Sequence, residues 1–80
     1  MMCIFRGGPI DGHREIRNKA PRRIFVAYGP SVDDLEPIFF LHNSKRDFKR
    51  ADYGEAMVMH VYSHTVSNEG VAYYKHSQVV

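Results

Sequence analysis

Glycine and proline interrupt this chain frequently and divide it into short segments. Proline lacks the backbone donor that a helix interior needs, and glycine favours turns because it accepts positive φ. The turn-forming positions are spread evenly along the sequence: Gly7-Gly8-Pro9, Asp11-Gly12, Pro21, Gly29-Pro30, Pro37, Gly54 and Gly70. Short segments between such residues are typical of a β-rich domain.

Six of these segments have the apolar alternation and the β-branched or aromatic content of strands. In chain order they are MCIF, HREIR with Ile16 pointing inward, RRIFVAY ended by Gly29-Pro30, IFFLH, AMVMHVYSH and VAYYKHSQV. The predicted fold class is mainly β, with α+β as the alternative: a small antiparallel sheet or partly open barrel of five or six strands, with one or two short helical turns. At 80 residues the chain forms a single small domain, 1–80.

Two segments between the strands favour short helical turns. The first, SVDDLEP, begins with a serine that can cap a helix and continues with acidic residues that suit its amino end. In the second, NSKRDFKRADYGE, Ser44 and Asp47 have the spacing of a capping box. Phe48 then faces the core, and Gly54 ends the helix. A long polar loop over residues 44–53 is the alternative.

The last two predicted strands flank Ser67-Asn68-Glu69-Gly70 and form an antiparallel hairpin. With Val66 opposite Val71, the alternation of side chains divides the hairpin into two faces. One face carries His60, Tyr62, His64, Tyr73 and Lys75, and the other carries Met57, Met59, Val61, Ala72 and Tyr74. The Met-rich face is the predicted core side, so the His-Tyr face is predicted to be exposed.

The stretch FRGGPIDG has the composition of a turn between the first two strands. Pro9 presets the backbone for the corner of a turn, and Gly12 can take a positive φ. Asp11 can bond the backbone nearby, while Gly7 and Gly8 permit close backbone approach. An anion-binding nest of glycine amides beside an arginine is the functional alternative. The glycine spacing matches neither the dinucleotide fingerprint nor the P-loop.

FRGGPIDG so near the start, together with the closing VAYYKH, resembles a broad set of small proteins encoded mainly by actinobacterial phages and prophages. These proteins share an F/Y-R-G-G-P-x-D-G opening and a closing aromatic strand. The resemblance covers the first twelve residues well and the last hairpin loosely. It implies a phage origin and a small β fold, and it carries no catalytic residues across. The expected location is the host cytoplasm or the virion.

Several functional classes find no support in the residues. Cys3 is alone, so no internal disulfide can form, and a small buried hydrophobic role is expected for it. His60 and His64 lie about 13 Å apart along one strand, too far to bind one metal ion at about 2 Å. No paired carboxylates or Ser-His-Asp arrangement stands out, and no apolar run approaches the roughly 20 residues of a membrane span. The sequence predicts no enzyme activity, cofactor, metal site or membrane association.

The first predicted function is a non-catalytic, phage-encoded interaction module that binds a host or phage protein. Its expected contact residues are Tyr62, His64, Tyr73 and Lys75, because such residues suit a contact surface and tyrosine is enriched at interface hot spots. The final strand is also expected to offer a free edge, which would permit a homo-oligomer or strand addition to a partner.

Nucleic-acid binding is the alternative function, because basic residues interleaved with aromatics can contact phosphates and stack bases. The candidates are Lys45, Arg46, Lys49 and Arg50, near Phe48 and Tyr53, together with Arg22 and Arg23 from an earlier cluster that also holds Arg14, Arg17 and Lys19. The net charge of +2 is small for a dedicated nucleic-acid-binding domain. A capsid or tail accessory protein of the virion is the third alternative.

Overall fold

The computed structural model describes residues 1–31, 36–51, 53 and 57–80. Within these ranges the chain forms a six-stranded mixed sheet, curved into a half-barrel, and one short helix. The elements are β1 (Met2–Arg6), β2 (Arg14–Ile16), β3 (Arg23–Pro30), β4 (Pro37–His42), α1 (Lys45–Arg50), β5 (Val58–Asn68) and β6 (Val71–Val79). The prediction of a mainly β, partly open barrel is confirmed. The helical turn predicted for SVDDLEP covers residues 31–37, of which 32–35 lie outside the described residues.

The strands follow the order β2-β1-β6-β5-β3-β4, in which β1 and β6 are parallel and the other neighbours are antiparallel. The prediction that the final strand offers a free edge is wrong, because β1 pairs with β6 on the side away from β5. The strands at the ends of the order are β2 and β4, and curvature brings them near each other. The rings of His13 and Phe39 meet edge-on with centroids 4.8 Å apart, and Arg17 donates to Asn43 Oδ1.

The concave side of the half-barrel holds the main hydrophobic core. Its buried members are Cys3, Phe5, Ile10, Ile24, Val26, Tyr62, Ala72 and Tyr74. Phe5 stacks on Tyr74 with ring centroids 5.4 Å apart. Cys3 has the predicted role of a small buried hydrophobe, and burial raises the pKa of its thiol. Each large side chain in such a core contributes about 1.5–3 kcal/mol of stability.

Two predictions about the early strands are wrong. Ile16 is 76% exposed instead of pointing inward, because Glu15 is the β2 residue that pairs with the buried Cys3. Alternation then places Ile16 on the outer face of the sheet. The third strand also continues through Gly29 to Pro30, which pairs with Pro37. Both prolines lie at strand ends, where a missing backbone donor disturbs little of the ladder.

The helix predicted after β4 is present as α1, so the polar-loop alternative is wrong for residues 45–50. The Ser44 side chain caps the helix by accepting a hydrogen bond from the Asp47 amide at 3.1 Å. Phe48 does not reach the main core; it packs on the outer side of β4 against the rings of His42 and Tyr53. The helix ends before the predicted stop at Gly54, which lies outside the described residues. Within the described part of the chain, no helix is long and apolar enough to cross a membrane.

Candidate functional site

The turn of the β5–β6 hairpin begins two residues later than the sequence predicts, and β6 begins at Val71 as expected. Asn68 pairs with Val71, and Glu69 and Gly70 form the turn with φ of 52° and 81°. Positive φ at both positions is what the favoured two-residue hairpin turn requires. The predicted pairing of Val66 with Val71 is therefore wrong, since Val66 lies opposite Tyr73.

Two irregularities in the hairpin change which side chains share a face. They lie between Val61 and Tyr62 and between His64 and Val66. A bulge adds one residue to one strand, so each residue beyond it lies opposite a partner shifted by one position. His64 consequently lies opposite Tyr74, and not opposite Tyr73 as predicted.

The structure separates the four predicted protein-contact residues. Tyr62 is fully buried in the main core, so the prediction that it is exposed is wrong. His64 is half-buried on the concave side, where its ring meets Tyr74 at 5.5 Å. Tyr73 and Lys75 alternate with the buried Tyr74 and therefore lie on the outer face. The predicted His-Tyr face is not a single surface.

Tyr62 holds the glycine-rich turn in place from inside the half-barrel. Its hydroxyl donates to the Gly7 carbonyl at 2.6 Å and accepts from the Ile10 amide at 3.2 Å. The Gly7 amide donates to Asp11 Oδ1 at 2.7 Å. Burial raises the pKa of Tyr62, so its hydroxyl stays protonated and able to donate. The glycine-rich stretch is the predicted turn between β1 and β2. Its Gly7 amide binds a carboxylate of the turn itself, that of Asp11.

Gly8 has no room for a side chain. Its φ is +63°, and an added Cβ would lie 2.6 Å from both His76 Cδ2 and the Tyr62 hydroxyl. His76 in turn lies against His60, with 3.0 Å between His60 Nδ1 and His76 Nε2. Burial, followed by the neighbouring His76, lowers the pKa of His60. At neutral pH His60 is therefore neutral, and its ring shares a hydrogen bond with the ring of His76.

The outer face brings together basic residues that are far apart in the sequence. Arg22 precedes β3, and Arg23 is its first residue. Both line a depression of about 450 Å³ together with Lys45 of α1. Phe25, Met59 and Val61 also line this depression. The two predicted basic clusters therefore meet here. The remaining candidates on α1, which are Arg46, Lys49 and Arg50, are exposed but do not line it.

Three cations also form a row across the sheet. Arg6 of β1 pairs with Lys75 of β6, Lys75 pairs with Ser63 of β5, and Ser63 pairs with Arg23 of β3. Each cation follows or precedes a fully buried residue, so alternation directs all three to the outer face. Four neighbouring strands span about 14 Å, which is the backbone length of this cation row.

Hydroxyl groups and an aromatic ring accompany the cation row. The Ser63 hydroxyl donates to Ser77 Oγ at 3.1 Å. The Arg6 guanidinium lies over the Tyr73 ring, 5.6 Å from its centroid. Arg6, Tyr73 and Lys75 line a second depression of about 390 Å³ beside the glycine-rich turn. The salt bridges between described residues both involve Glu15, which lies on the concave side, and neither involves a cation of the row.

Sequence reasoning did not find the cation row, because it depends on the parallel pairing of β1 with β6. The sequence places Arg6 beside the glycine amides and Lys75 in the hairpin, and neither position indicates that the two cations are neighbours. One sequence signal was present: a buried aromatic followed by a cation occurs twice, as Phe5-Arg6 and Tyr74-Lys75. These two dipeptides lie side by side because β1 pairs with β6 in parallel.

Comparison with models of known protein families, with curated proteins and with solved structures finds no match to this chain. The fold and the outer face therefore define the protein as a small mixed β half-barrel with a cationic sheet surface. The phage origin, the virion role and the location in host cytoplasm or virion stay predictions from the sequence.

Proposed function

We propose that this protein is a non-catalytic binding module whose ligand is a nucleic acid, held on the outer face of the sheet. The observation that carries the proposal is the cation row of Arg6, Lys75 and Arg23. Cations that project in register from neighbouring strands can contact successive phosphates of one backbone. The cation-lined depression at Arg22, Arg23 and Lys45 continues this surface toward α1.

A fluorescence anisotropy titration with labelled DNA and RNA oligonucleotides, over a range of salt concentrations, tests the proposal. The row variant Arg6→Ala/Arg23→Ala/Lys75→Ala is expected to bind about tenfold or more weakly. Its plot of log affinity against log salt should also be shallower by about 2–3, since each phosphate contact contributes about 0.7–0.9 to the slope.

The matched control is Arg46→Ala/Lys49→Ala/Arg50→Ala on α1. It also removes three positive charges, but from residues outside the row. Equal losses in the two variants would mean that net charge, and not the row, attracts the nucleic acid. A larger loss of affinity in the α1 variant would mean that the nucleic acid binds the basic residues of α1, as the sequence predicts.

Binding to another protein is the second candidate function, favoured by the contact of Arg6 with the Tyr73 ring. Tyrosine and arginine are enriched at interface hot spots, and both line the depression beside the glycine-rich turn. Affinity capture with the native chain and with Tyr73→Ala tests this function. A partner protein retained by the native chain and lost by the variant would support it, whereas retention by both would argue against this surface.

A further inference from the structure

We propose that the occupant of the outer face is a single-stranded nucleic acid whose bases stack on Tyr73 and Phe25. This inference rests on the proposed function and narrows its ligand class. It begins from two aromatic residues that lie beside the cation row, and both are half-buried.

The register places the two aromatic residues on opposite sides of the row. Tyr73 precedes Lys75 by two residues on β6, and Phe25 follows Arg23 by two residues on β3. Because β3 and β6 are each antiparallel to β5, they run in the same direction. Tyr73 therefore lies toward the hairpin turn, opposite Val66, and Phe25 lies away from it, opposite Val61.

These positions favour a single strand over a duplex. A duplex presents phosphates and groove edges to a protein, and its base faces are covered by stacking. A single strand can turn its bases toward the protein and its phosphates along the cations, which is how aromatic platforms in basic grooves act. The depression at Arg23 has the half-buried Phe25 in its lining together with the buried Met59 and Val61, so a partly exposed aromatic residue lies beside a cation.

The Tyr73 ring is the stronger of the two platforms. The Arg6 guanidinium carbon lies 5.6 Å from the centroid of this ring, so a cation and an aromatic ring are already together before any ligand binds. Lys75 on the same strand and face supplies a cation for the adjoining phosphate. Ser63, between Lys75 and Arg23, supplies a hydroxyl at the middle of the row.

The test compares three labelled probes of one mixed 20-nucleotide sequence: single-stranded DNA, single-stranded RNA and duplex DNA. The native protein is expected to bind the single strands about tenfold or more tightly than the duplex. Tyr73→Leu should weaken single-strand binding about 5- to 150-fold, because stacking contributes about 1–3 kcal/mol per base. Tyr73→Phe keeps the ring and should restore most of the affinity.

The outcomes separate this inference from the proposed function. A duplex bound as tightly as the single strands, or a Tyr73→Leu variant with native affinity, overturns the inference. The proposed function survives that result if the row variant still loses binding. Failure of the row variant to change the affinity for any probe overturns both. Single-strand binding that depends on Tyr73 supports the inference, and the ratio of RNA to DNA affinity then identifies the polymer.

Discussion

On the concave face of the half-barrel, Tyr62 and Tyr74 are fully buried, and each hydroxyl donates to a backbone carbonyl. On the outer face, Tyr73 is half-buried, and the Arg6 guanidinium lies over its ring. Burial raises the pKa of Tyr74 to about 12, so the Tyr74 hydroxyl is a donor at any ordinary pH. The same residue type is thus a structural tie on one face and an available contact on the other. For the consecutive residues Tyr73 and Tyr74, the alternation of side chains along β6 decides which.

Gly8→Ala should produce the largest loss of stability, because it places a Cβ against the concave-face residues His76 and Tyr62. The close contact and the positive φ together should lower the free energy of unfolding by about 2–5 kcal/mol. Gly12→Ala is the matched control, since Gly12 has a similar φ of +83° and nothing within 4 Å of an added Cβ. Urea unfolding should show a loss of about 1–2 kcal/mol for the control. Equal losses would show that backbone strain, and not contact, makes Gly8 necessary.

The two tyrosine faces can be compared directly by removing one hydroxyl from each. Tyr62→Phe leaves the Gly7 carbonyl and the Ile10 amide without their partner and should lower the free energy of unfolding by about 1–3 kcal/mol. Tyr73→Phe on the outer face should change it by less than about 0.5 kcal/mol. Thermal unfolding of both variants provides the measurement. A similar cost for the two would contradict the assignment of Tyr62 to the interior.

The concave face should also give the protein a pH-dependent stability. The pKa of His60 is lowered in the folded chain, first by burial and then by His76. His60 in the unfolded chain has the ordinary histidine pKa of about 6.5, so below that pH the unfolded chain binds more protons than the folded one. The free energy of unfolding should therefore fall as the pH drops through about 6.5, and above that pH it should not depend on His60. Urea unfolding from pH 7.5 to pH 5 measures the effect. His60→Gln should flatten this part of the profile, and an unchanged profile in the variant would assign the effect to other groups.

The smallest effect is expected for the cation row itself. Arg6, Arg23 and Lys75 are exposed, so replacing any one with alanine should change the free energy of unfolding by less than about 0.5 kcal/mol. The same changes are expected to weaken nucleic-acid binding strongly. A large loss of stability in these variants, seen by thermal unfolding, would mean that the outer face is structural like the concave one.

Most of the fold could be predicted from local signals. Glycine and proline marked the turns, β-branched and aromatic runs marked the strands, and Ser44 with Asp47 marked α1. Ile16 was assigned to the wrong face because a three-residue strand gives too little alternation to fix its phase. The faces of the hairpin were wrong for a different reason. A bulge changes the alternation without a distinctive residue, and tertiary packing of Tyr62 under the glycine-rich turn selects where it falls.

The candidate site could be predicted only in part. The abundance of arginine and lysine near aromatic residues is visible in the sequence, and it did indicate Arg22, Arg23 and Lys45. The contribution of Arg6 and Lys75 requires that β1 lie beside β6 in parallel, and this pairing joins segments from opposite ends of the chain. Local patterns carry little information on such long-range pairing.

The central place of β6 also determines the order in which the fold can be completed during synthesis. Strands β3, β4 and β5 are neighbours built from consecutive segments and can pair while the chain is still emerging from the ribosome. β1 and β2 alone make only a two-stranded hairpin, which is marginally stable in water. They join the rest of the sheet only after β6 has been made, and pairing between such distant segments is slow. A nascent chain that stops before β6 therefore lacks the core residues of β6. Its β1 is not yet paired with the rest of the sheet, so the cation row has not formed.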